Sequence, residues 1–410
     1  MNESLFPDSL LLYRQLKEPL LSLQRLLQLL AQPDPTLTEL NRAYFNFAAE
    51  ALQNDWPESL YDFIISDLNP FSQNPDQKNL AEAALWDLTI LQKLAQISCS
   101  ELKKRIQAKC PNLNLADWPE ITSAPALDDW DLSLAPGWLA AQRQQLKLAL
   151  ADSPQTALAA LQKFYREIGC GIFNQFAAFT WENSTLQGVK QPDPLKLENL
   201  INLEKEHQQI LANTDRFVQG LPASNLILYG DRGSGKSSTV KALLHHYIQA
   251  NLRLVELSNA HLAELPRLMR YLTPFKHYFI IFIDDLSFET TNHQYKWLKT
   301  ALEGGITSRP ANILLYVTSN RRHLIQENFK TDEIRPQDSL QEQMSLADRF
   351  GQTIIFTNPN QKAYLEIVAQ LAKQAGLPIP HPEQALQWAL WHNGNSGRTA
   401  RQFIDHLVQK

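Results

Sequence analysis

One octapeptide has the residue types and the spacing of a phosphate-binding loop. Its pattern is G-x-x-x-x-G-K-[ST], and the residues concerned are Gly230, Asp231, Arg232, Gly233, Ser234, Gly235, Lys236, Ser237 and the following Ser238. Glycines let the backbone turn tightly, so that successive N–H groups face one concavity where an anion can sit. A helix that begins near Lys236 would add the positive end of its dipole. The pattern therefore predicts that Lys236 contacts the β and γ phosphates and that Ser237 ligates Mg²⁺.

A second group of candidates is an apolar run that ends in two carboxylates. Residues 278–283 are apolar throughout, and Asp284 and Asp285 follow directly. In a parallel sheet, ligands gather beyond the carboxyl ends of the strands. We therefore expect Asp284 to hold Mg²⁺, directly or through water, and Asp285 to orient and deprotonate an attacking water. The competing interpretation is an ordinary surface turn.

Four further polar residues are candidates for the same site. Asn320 follows the apolar run 313–317 and is placed to position water near a γ phosphate, or else to cap a helix. Arg349 precedes the last apolar run, and Arg398 and Arg401 open the final helix-like segment. An arginine on that segment would reach a γ phosphate, although each arginine alone would equally suit a surface salt bridge.

The elements that must position these residues differ between the two parts of the chain. Residues 1–195 hold four of the 14 glycines and 15 Lys/Arg against 23 Asp/Glu, whereas residues 196–410 hold ten glycines and 23 against 20. Apolar residues at spacings of three and four predict helices over 10–32 and 80–94. Two prolines within 189–195 indicate a linker. The first part is therefore predicted to be an all-α domain.

The second part alternates short apolar runs with helix-like stretches. The runs lie at 226–229, 254–257, 279–283, 313–317 and 353–356. Continuous apolar strands alternating with helices are typical of a parallel sheet covered on both faces. We predict an α/β core with a five-stranded parallel sheet over 196–358, followed by a small helical lid over 359–410.

Composition excludes several classes of protein. The chain has 410 residues, 44% of them apolar, and a net charge of −5, which suits a multidomain globular protein. No apolar run is long enough to span a bilayer, and no secretory signal is visible, so we expect a cytoplasmic protein. The three cysteines are expected to be reduced thiols. The negative charge argues against a broad nucleic-acid surface.

The order of these motifs resembles the AAA+ ATPases, and more closely a family of uncharacterised bacterial AAA+ ATP-binding proteins whose domain has no known function. The stretches that carry the resemblance are 225–244, 282–289, 302–305, 318–324 and 396–405. The resemblance implies that Asn320 is the first sensor, that Arg349 is an arginine finger acting on a neighbouring subunit, and that Arg398 or, slightly favoured, Arg401 is the second sensor. It also places residues 197–203 beside the adenine, with Asn202 where the family has glycine.

The resemblance implies an ATP-binding protein that hydrolyses ATP slowly with Mg²⁺, because related ATPases carry Glu where this chain has Asp285. We expect a homo-oligomer, with the N-terminal domain contacting an unknown protein partner. One alternative is a nucleic-acid-linked ATPase of the helicase-loader or initiator type, because the Asp284–Asp285 pair resembles the acidic pair of those proteins. The other is a switch that senses ATP without hydrolysing it.

Overall fold

The computed structural model describes residues 9–54, 56–111, 113–115, 117–118, 137–286, 298, 302, 310–320, 350–392 and 394–408. It divides into two compact units, Met1–Phe176 and Ala177–Lys410. The seam predicted at residue 195 therefore lies inside the second unit, and the helical unit ends earlier than the sequence predicted. The prediction failed because the residues just after 177 belong to a sheet.

The described part of the first unit is built of helices around one apolar core. The helices are α1 (Leu20–Ala31), α2 (Leu37–Gln53), α3 (Glu58–Ser66), α4 (Pro70–Gln73), α5 (Lys78–Ala95), α6 (Cys99–Lys109), α7 (Gly137–Leu150) and α8 (Pro154–Glu167). The longer helices bury residues at helical spacing, as Leu23, Leu26, Leu27 and Leu30 do on α1. The predicted all-α N-terminal region is thus present. Cys99, Cys110 and Cys170 are free.

The first predicted helix is shorter than the sequence indicated. It was expected over residues 10–32, but α1 begins only at Leu20. The backbone N–H groups of Leu11, Leu12 and Tyr13 instead donate to the carboxylate of Asp87, at 2.7–3.1 Å. The carboxylate thus satisfies the backbone donors of a non-helical segment. Pro19, which disfavours helical backbone at the residue before it, stands directly before α1.

The second unit opens with a hairpin that the sequence analysis missed. Strand β1 (Ala178–Glu182) and strand β2 (Thr185–Gly188) pair antiparallel. Asn183 and Ser184 form the turn with φ of 48° and 59°, the backbone that two-residue hairpins require. Residues 189–195 then run without helix or strand, as the prolines predicted.

A seven-stranded sheet forms the centre of the second unit. Its remaining strands are β3 (Leu226–Gly230), β4 (Leu252–Glu256), β5 (Tyr278–Ile283), β6 (Ile313–Ser319) and β7 (Gln352–Phe356). The order is β2-β1-β4-β5-β6-β3-β7. The five predicted strands all pair in parallel, and β1 joins them in parallel beside β4. The predicted α/β class is confirmed, with seven strands rather than five.

In the described stretches between these strands, three helices are present. They are α9 (Glu204–Val218), α10 (Lys236–Tyr247) and α11 (Leu265–Leu272). On α11 the buried residues Leu265, Leu268, Met269 and Leu272 recur at the spacing of one helical face. All residues of β6, and all but Tyr278 of β5, are buried, as expected for central strands of a parallel sheet. Strand β6 separates the acidic strand β5 from β3, and this order determines which side chains meet.

A small helical lid ends the unit. Its helices are α12 (Gln361–Gln374), α13 (Pro382–Trp391) and α14 (Gly397–Val408). They enclose an apolar core that includes Tyr364, Leu371, Ala389, Phe403 and Ile404. No helix in the described parts of the chain combines the length and apolar character needed to cross a membrane.

Candidate functional site

The glycine-rich loop lies between β3 and α10, at the carboxyl end of the sheet. Gly230 has a φ of 151°, and a Cβ at this position would lie 1.8 Å from the carbonyl oxygen of Phe356 on the neighbouring strand β7. Only glycine fits such a close approach of two backbones. Gly235, with a φ of 99°, directly precedes the first residue of α10. The loop is therefore held against the sheet on one side and continues into a helix N-terminus on the other.

Lys236 is buried within this loop. Its Nζ donates to the carbonyl oxygens of Gly230, at 2.8 Å, and Asp231, at 2.7 Å, and to Oδ1 of Asn320, at 3.0 Å. Burial lowers the pKa of Lys236, and the negative charges of Asp285, Asp231 and Asp284 oppose that shift. The ammonium group thus lies where the loop and the carboxyl ends of β5 and β6 converge.

Asp284 accepts two hydroxyl hydrogen bonds on one oxygen. Ser237 Oγ on α10 and Thr318 Oγ1 on β6 both donate to its Oδ1, each at 2.5 Å. The parallel register of β5 and β6, which pairs Ile283 with Val317, brings Thr318 to this point. No local sequence pattern assigns Thr318 to the site, because a contact between strands depends on their register.

Asp285 has a left-handed backbone, with a φ of 49°. Its N–H donates to Thr318 Oγ1 at 2.8 Å, and its carboxylate accepts a hydrogen bond from Nδ2 of Asn320. Asn259, after β4, donates from Nδ2 to the carbonyl oxygens of Asp284 and Asp285 at 3.1 and 3.3 Å. Asn320 therefore bridges Lys236 and Asp285. Sequence reasoning missed Asn259, and no residue pattern around it signalled the contact.

The helical lid also contributes residues to the site. A Cβ at Gly233 would lie 2.9 Å from Oγ of Ser396, directly before α14, and 3.4 Å from Cβ of Arg398. The charge of Arg398 lowers the pKa of Lys236 further, by like-charge repulsion. Arg401 lies one turn along the same helix. Arg349 falls outside the described residues, so its predicted place is untested.

These groups line one cleft of roughly 530 Å³. The predicted residues on its wall are Arg232, Gly233, Ser234, Gly235, Lys236, Ser237, Ser238, Asp284, Asp285, Asn320, Arg398 and Arg401. Gly230 and Asp231 are joined to this wall through Lys236, whose ammonium group donates to their carbonyl oxygens. The structure therefore brings together all the predicted site residues that it describes.

The other end of the cleft is mainly apolar. It is lined by Ile201 and Leu203 from the segment before α9, and by Ile367 and Leu371 from α12. Asn202, in that segment, has a φ of 62°, the left-handed backbone that the missing family glycine would have supplied. An apolar lining of this kind suits a flat ring system next to a charged loop.

The donor set also suits Mg²⁺. Ser237 Oγ and Asp284 Oδ1 lie within 2.5 Å of each other at the loop, and both are hard oxygen ligands. Mg²⁺ is typically held by one or two carboxylates together with substrate phosphates. In the described residues no group of three or more His, Cys, Asp or Glu side chains forms another candidate metal site.

Residues 174–410 match the family described as "Protein of unknown function (DUF815)". No curated protein matches the chain. Among solved structures, similarity is found to the Thermotoga maritima RuvB Holliday junction branch migration motor, at 16% identity and a TM-score of 0.36 over 53% of this chain and 65% of that one. Similarity is also found to AMPPCP-bound DnaA from Aquifex aeolicus, at 15% identity and a TM-score of 0.38 over 53% of this chain and 66% of that one. A FIGL-1 AAA domain in complex with ADP is similar at 19% identity and a TM-score of 0.36, over 52% of this chain and 72% of that one. The match spans less than two thirds of the RuvB chain, and likenesses this distant do not bear on function.

Proposed function

The chain belongs to the DUF815 family of proteins of unknown function, and its phosphate-loop pattern lies between a strand and a helix of a mainly parallel sheet. We propose that it is an AAA+ protein that binds ATP with Mg²⁺ and hydrolyses it slowly. Nucleotide state would then set the position of the lid and the contact with a partner. One observation carries the proposal: the glycine loop, both carboxylates, Asn320 and the lid arginines line a single cleft. Each part alone has an ordinary structural explanation, but their convergence does not.

The glycine loop would hold the triphosphate. Its N–H groups and the N-terminus of α10 form an anion site, and Lys236 would turn its ammonium group from the carbonyls of Gly230 and Asp231 toward the phosphates. This exchange is favourable, because the ammonium group would pair with an anionic acceptor in place of two neutral carbonyls. The apolar end of the cleft would hold the adenine.

Ser237 and Asp284 would hold Mg²⁺, which neutralises charge on the phosphates when it is bound. Asp285 and Asn320 would orient the attacking water, and Asp285 would accept its proton. In the structure the carboxylate of Asp285 accepts a hydrogen bond from Asn320, which in turn accepts one from Lys236. When Lys236 turns to a phosphate, Asn320 would lose one of these partners and become available to the γ phosphate.

The arginines would complete the site. Arg398 is our preferred second sensor, because its charge acts on Lys236 and its Cβ lies near Gly233. This preference differs from the slight sequence-based preference for Arg401, which also lines the cleft. Arg349 remains the proposed arginine finger for a neighbouring copy of the chain, which makes the active form a homo-oligomer.

The second candidate function is an ATP-sensing switch without useful hydrolysis. It is favoured by one observation: the short side chain of Asp285 is held by Asn320 and by a fixed left-handed backbone. A carboxylate with so little reach is a poorer base for a distant water than a longer one.

Turnover of ATP by the Asp285→Asn variant separates the two functions. The substitution keeps the size of the side chain and removes its basicity, so an ATPase should lose at least about tenfold in rate while still binding ATP. Asp405→Asn, on the exposed face of α14, is the matched control and should hydrolyse ATP like the wild type. If the wild type binds ATP without measurable turnover, the switch is correct. If Asp285→Asn retains the full rate, another group activates the water.

A further inference from the structure

Thr318 is a buried residue at the end of β6, and its hydroxyl lies between the two acidic residues. Only 1% of Thr318 is exposed. The hydroxyl donates to Oδ1 of Asp284 and accepts the N–H of Asp285 at 2.8 Å. The carbonyl oxygen of Thr318 also accepts the N–H of Leu286 at 2.8 Å. One residue therefore contacts three successive residues of the acidic turn.

The hydroxyl of Thr318 both donates and accepts a hydrogen bond in these contacts. A threonine hydroxyl has one proton to donate and lone pairs to accept with. Here the proton goes to the side chain of Asp284, while the oxygen receives the backbone of Asp285. The same group thus orients the carboxylate of one residue and fixes the left-handed backbone of the next.

Ser237 shares the oxygen that Thr318 contacts. Both hydroxyls donate to Oδ1 of Asp284 in the structure. A hydroxyl oxygen that ligates a cation points its lone pairs at the ion, so Ser237 would shift its contact when Mg²⁺ is held. Thr318 would then be the hydroxyl that continues to orient Asp284. Partners that orient a metal ligand in this way commonly contribute tenfold to hundredfold in metal affinity.

Building on the proposed function, we infer that Thr318 is a positioning residue that orients Asp284 for Mg²⁺ and fixes the Asp285 turn, so that Mg²⁺-dependent nucleotide binding requires its hydroxyl. The hydroxyl acts through Asp284, although Thr318 also lines the cleft. The inference concerns the hydroxyl and not the shape of the side chain. Thr318→Val keeps the shape without the hydroxyl, whereas Thr318→Ser keeps the hydroxyl with a smaller shape.

The test measures how much Mg²⁺ strengthens binding of AMP-PNP, a non-hydrolysed ATP analogue, by calorimetry on the full chain. In Thr318→Val the factor by which Mg²⁺ strengthens AMP-PNP binding should be about tenfold to hundredfold smaller than in the wild type. The affinity for AMP-PNP in EDTA should be unchanged. Thr318→Ser should stay within about threefold of the wild type. Thr318→Ala serves as a second hydroxyl-free variant if Thr318→Val does not fold.

Thr214→Val is the matched control. Thr214 is also fully buried in this unit, and its hydroxyl also has two partners, the carbonyl of Ile210 and the hydroxyl of Tyr316, each at 2.8 Å. The Thr214→Val variant should be less stable than the wild type, but the effect of Mg²⁺ on its affinity for AMP-PNP should be unchanged. The inference is overturned if the hydroxyl-free variants keep the wild-type Mg²⁺ effect, or if Thr318→Ser loses as much as they do. Absence of nucleotide binding in the wild type would instead overturn the proposed function, and the inference with it.

Discussion

The backbone at position 285 restricts which carboxylate can serve there. Asp285 has a φ of 49°, and the contacts from Thr318 and Asn259 hold both its N–H and its carbonyl oxygen. Aspartate and asparagine tolerate this left-handed conformation because their short polar side chains can hydrogen-bond locally, whereas longer side chains do not. The short acid is therefore what this turn accepts.

We predict that Asp285→Glu will not speed hydrolysis, although glutamate reaches farther. The longer side chain should strain the left-handed backbone and cost about 1 kcal/mol of stability, seen as a lower denaturant midpoint. Asp285→Asn is the matched variant and should keep the wild-type midpoint, because asparagine accepts the same φ. An Asp285→Glu protein that is as stable as the wild type and hydrolyses ATP faster would contradict this account.

At this scale the sequence predicts most of the site from spacing alone. The loop from Gly230 to Ser237 is local, so its pattern fixes its own geometry, and the place of Asp284 follows from the strand before it. Thr318 and Asn259 could not be assigned in the same way. Their contacts depend on the register of β6 against β5 and on the turn after β4, which no local pattern encodes.

At the scale of elements, α9 packs against the loop helix α10 through a histidine. Nε2 of His207 lies 3.3 Å from the hydroxyl of Thr239, which also donates to the carbonyl of Gly235. Burial lowers the pKa of His207 below its ordinary value of 6.5, although Glu204 and Glu206 oppose the shift. Protonation of His207 is therefore less favourable in the folded protein than in the unfolded chain.

We predict that acid weakens this contact between helices. Because the folded pKa is lowered, the unfolded chain binds more protons in the range below pH 6.5, so stability falls as the pH falls through that range. His207→Gln should flatten the fall in denaturant midpoint between pH 7 and pH 5.5. His381→Gln, on an exposed residue before α13, should leave the fall as it is. Equal pH dependence in wild type and His207→Gln would refute the prediction.

Helices with one apolar face and strands that are apolar throughout could be predicted from the sequence. Strands β5 and β6 are buried on both sides, so their sequences are continuous apolar runs, and the ends predicted for them were nearly correct. The hairpin β1–β2 was missed because β2 has no buried residue and reads as polar. The early start predicted for α1 failed because Pro19, directly before Leu20, disfavours helical backbone at the residue that precedes it.

At the scale of the whole molecule, the two units differ in the functional features that they contain. The second unit contains the candidate nucleotide site, from the loop to the lid. The first unit is a helical body with its own apolar core. We propose that it contacts a protein partner, a role for which the sequence predicts no specific motif.

We predict that hydrolysis depends on assembly, because the resemblance to AAA+ proteins implies that Arg349 acts on a neighbouring copy. Arginine fingers contribute about 10³–10⁵ in rate where they have been measured in GTPases. Specific activity should therefore rise with protein concentration, and a mixture of Arg349→Ala with Lys236→Ala should recover part of the activity that each lacks. Constant specific activity over a thousandfold dilution, with an inactive mixture, would instead indicate a protein that works as a monomer.

The central claim is that the loop around Lys236 binds the triphosphate of ATP with Mg²⁺, and calorimetric titration of the full chain with Mg·ATP tests it most directly. The wild type should bind, and Lys236→Ala should bind at least about tenfold more weakly, because a hydrogen bond to a charged group contributes about 1.5–3 kcal/mol. Lys362→Ala, which removes an exposed lysine of α12, should match the wild type. Equal affinity for Mg·ATP in the wild type and in Lys236→Ala would contradict the claim.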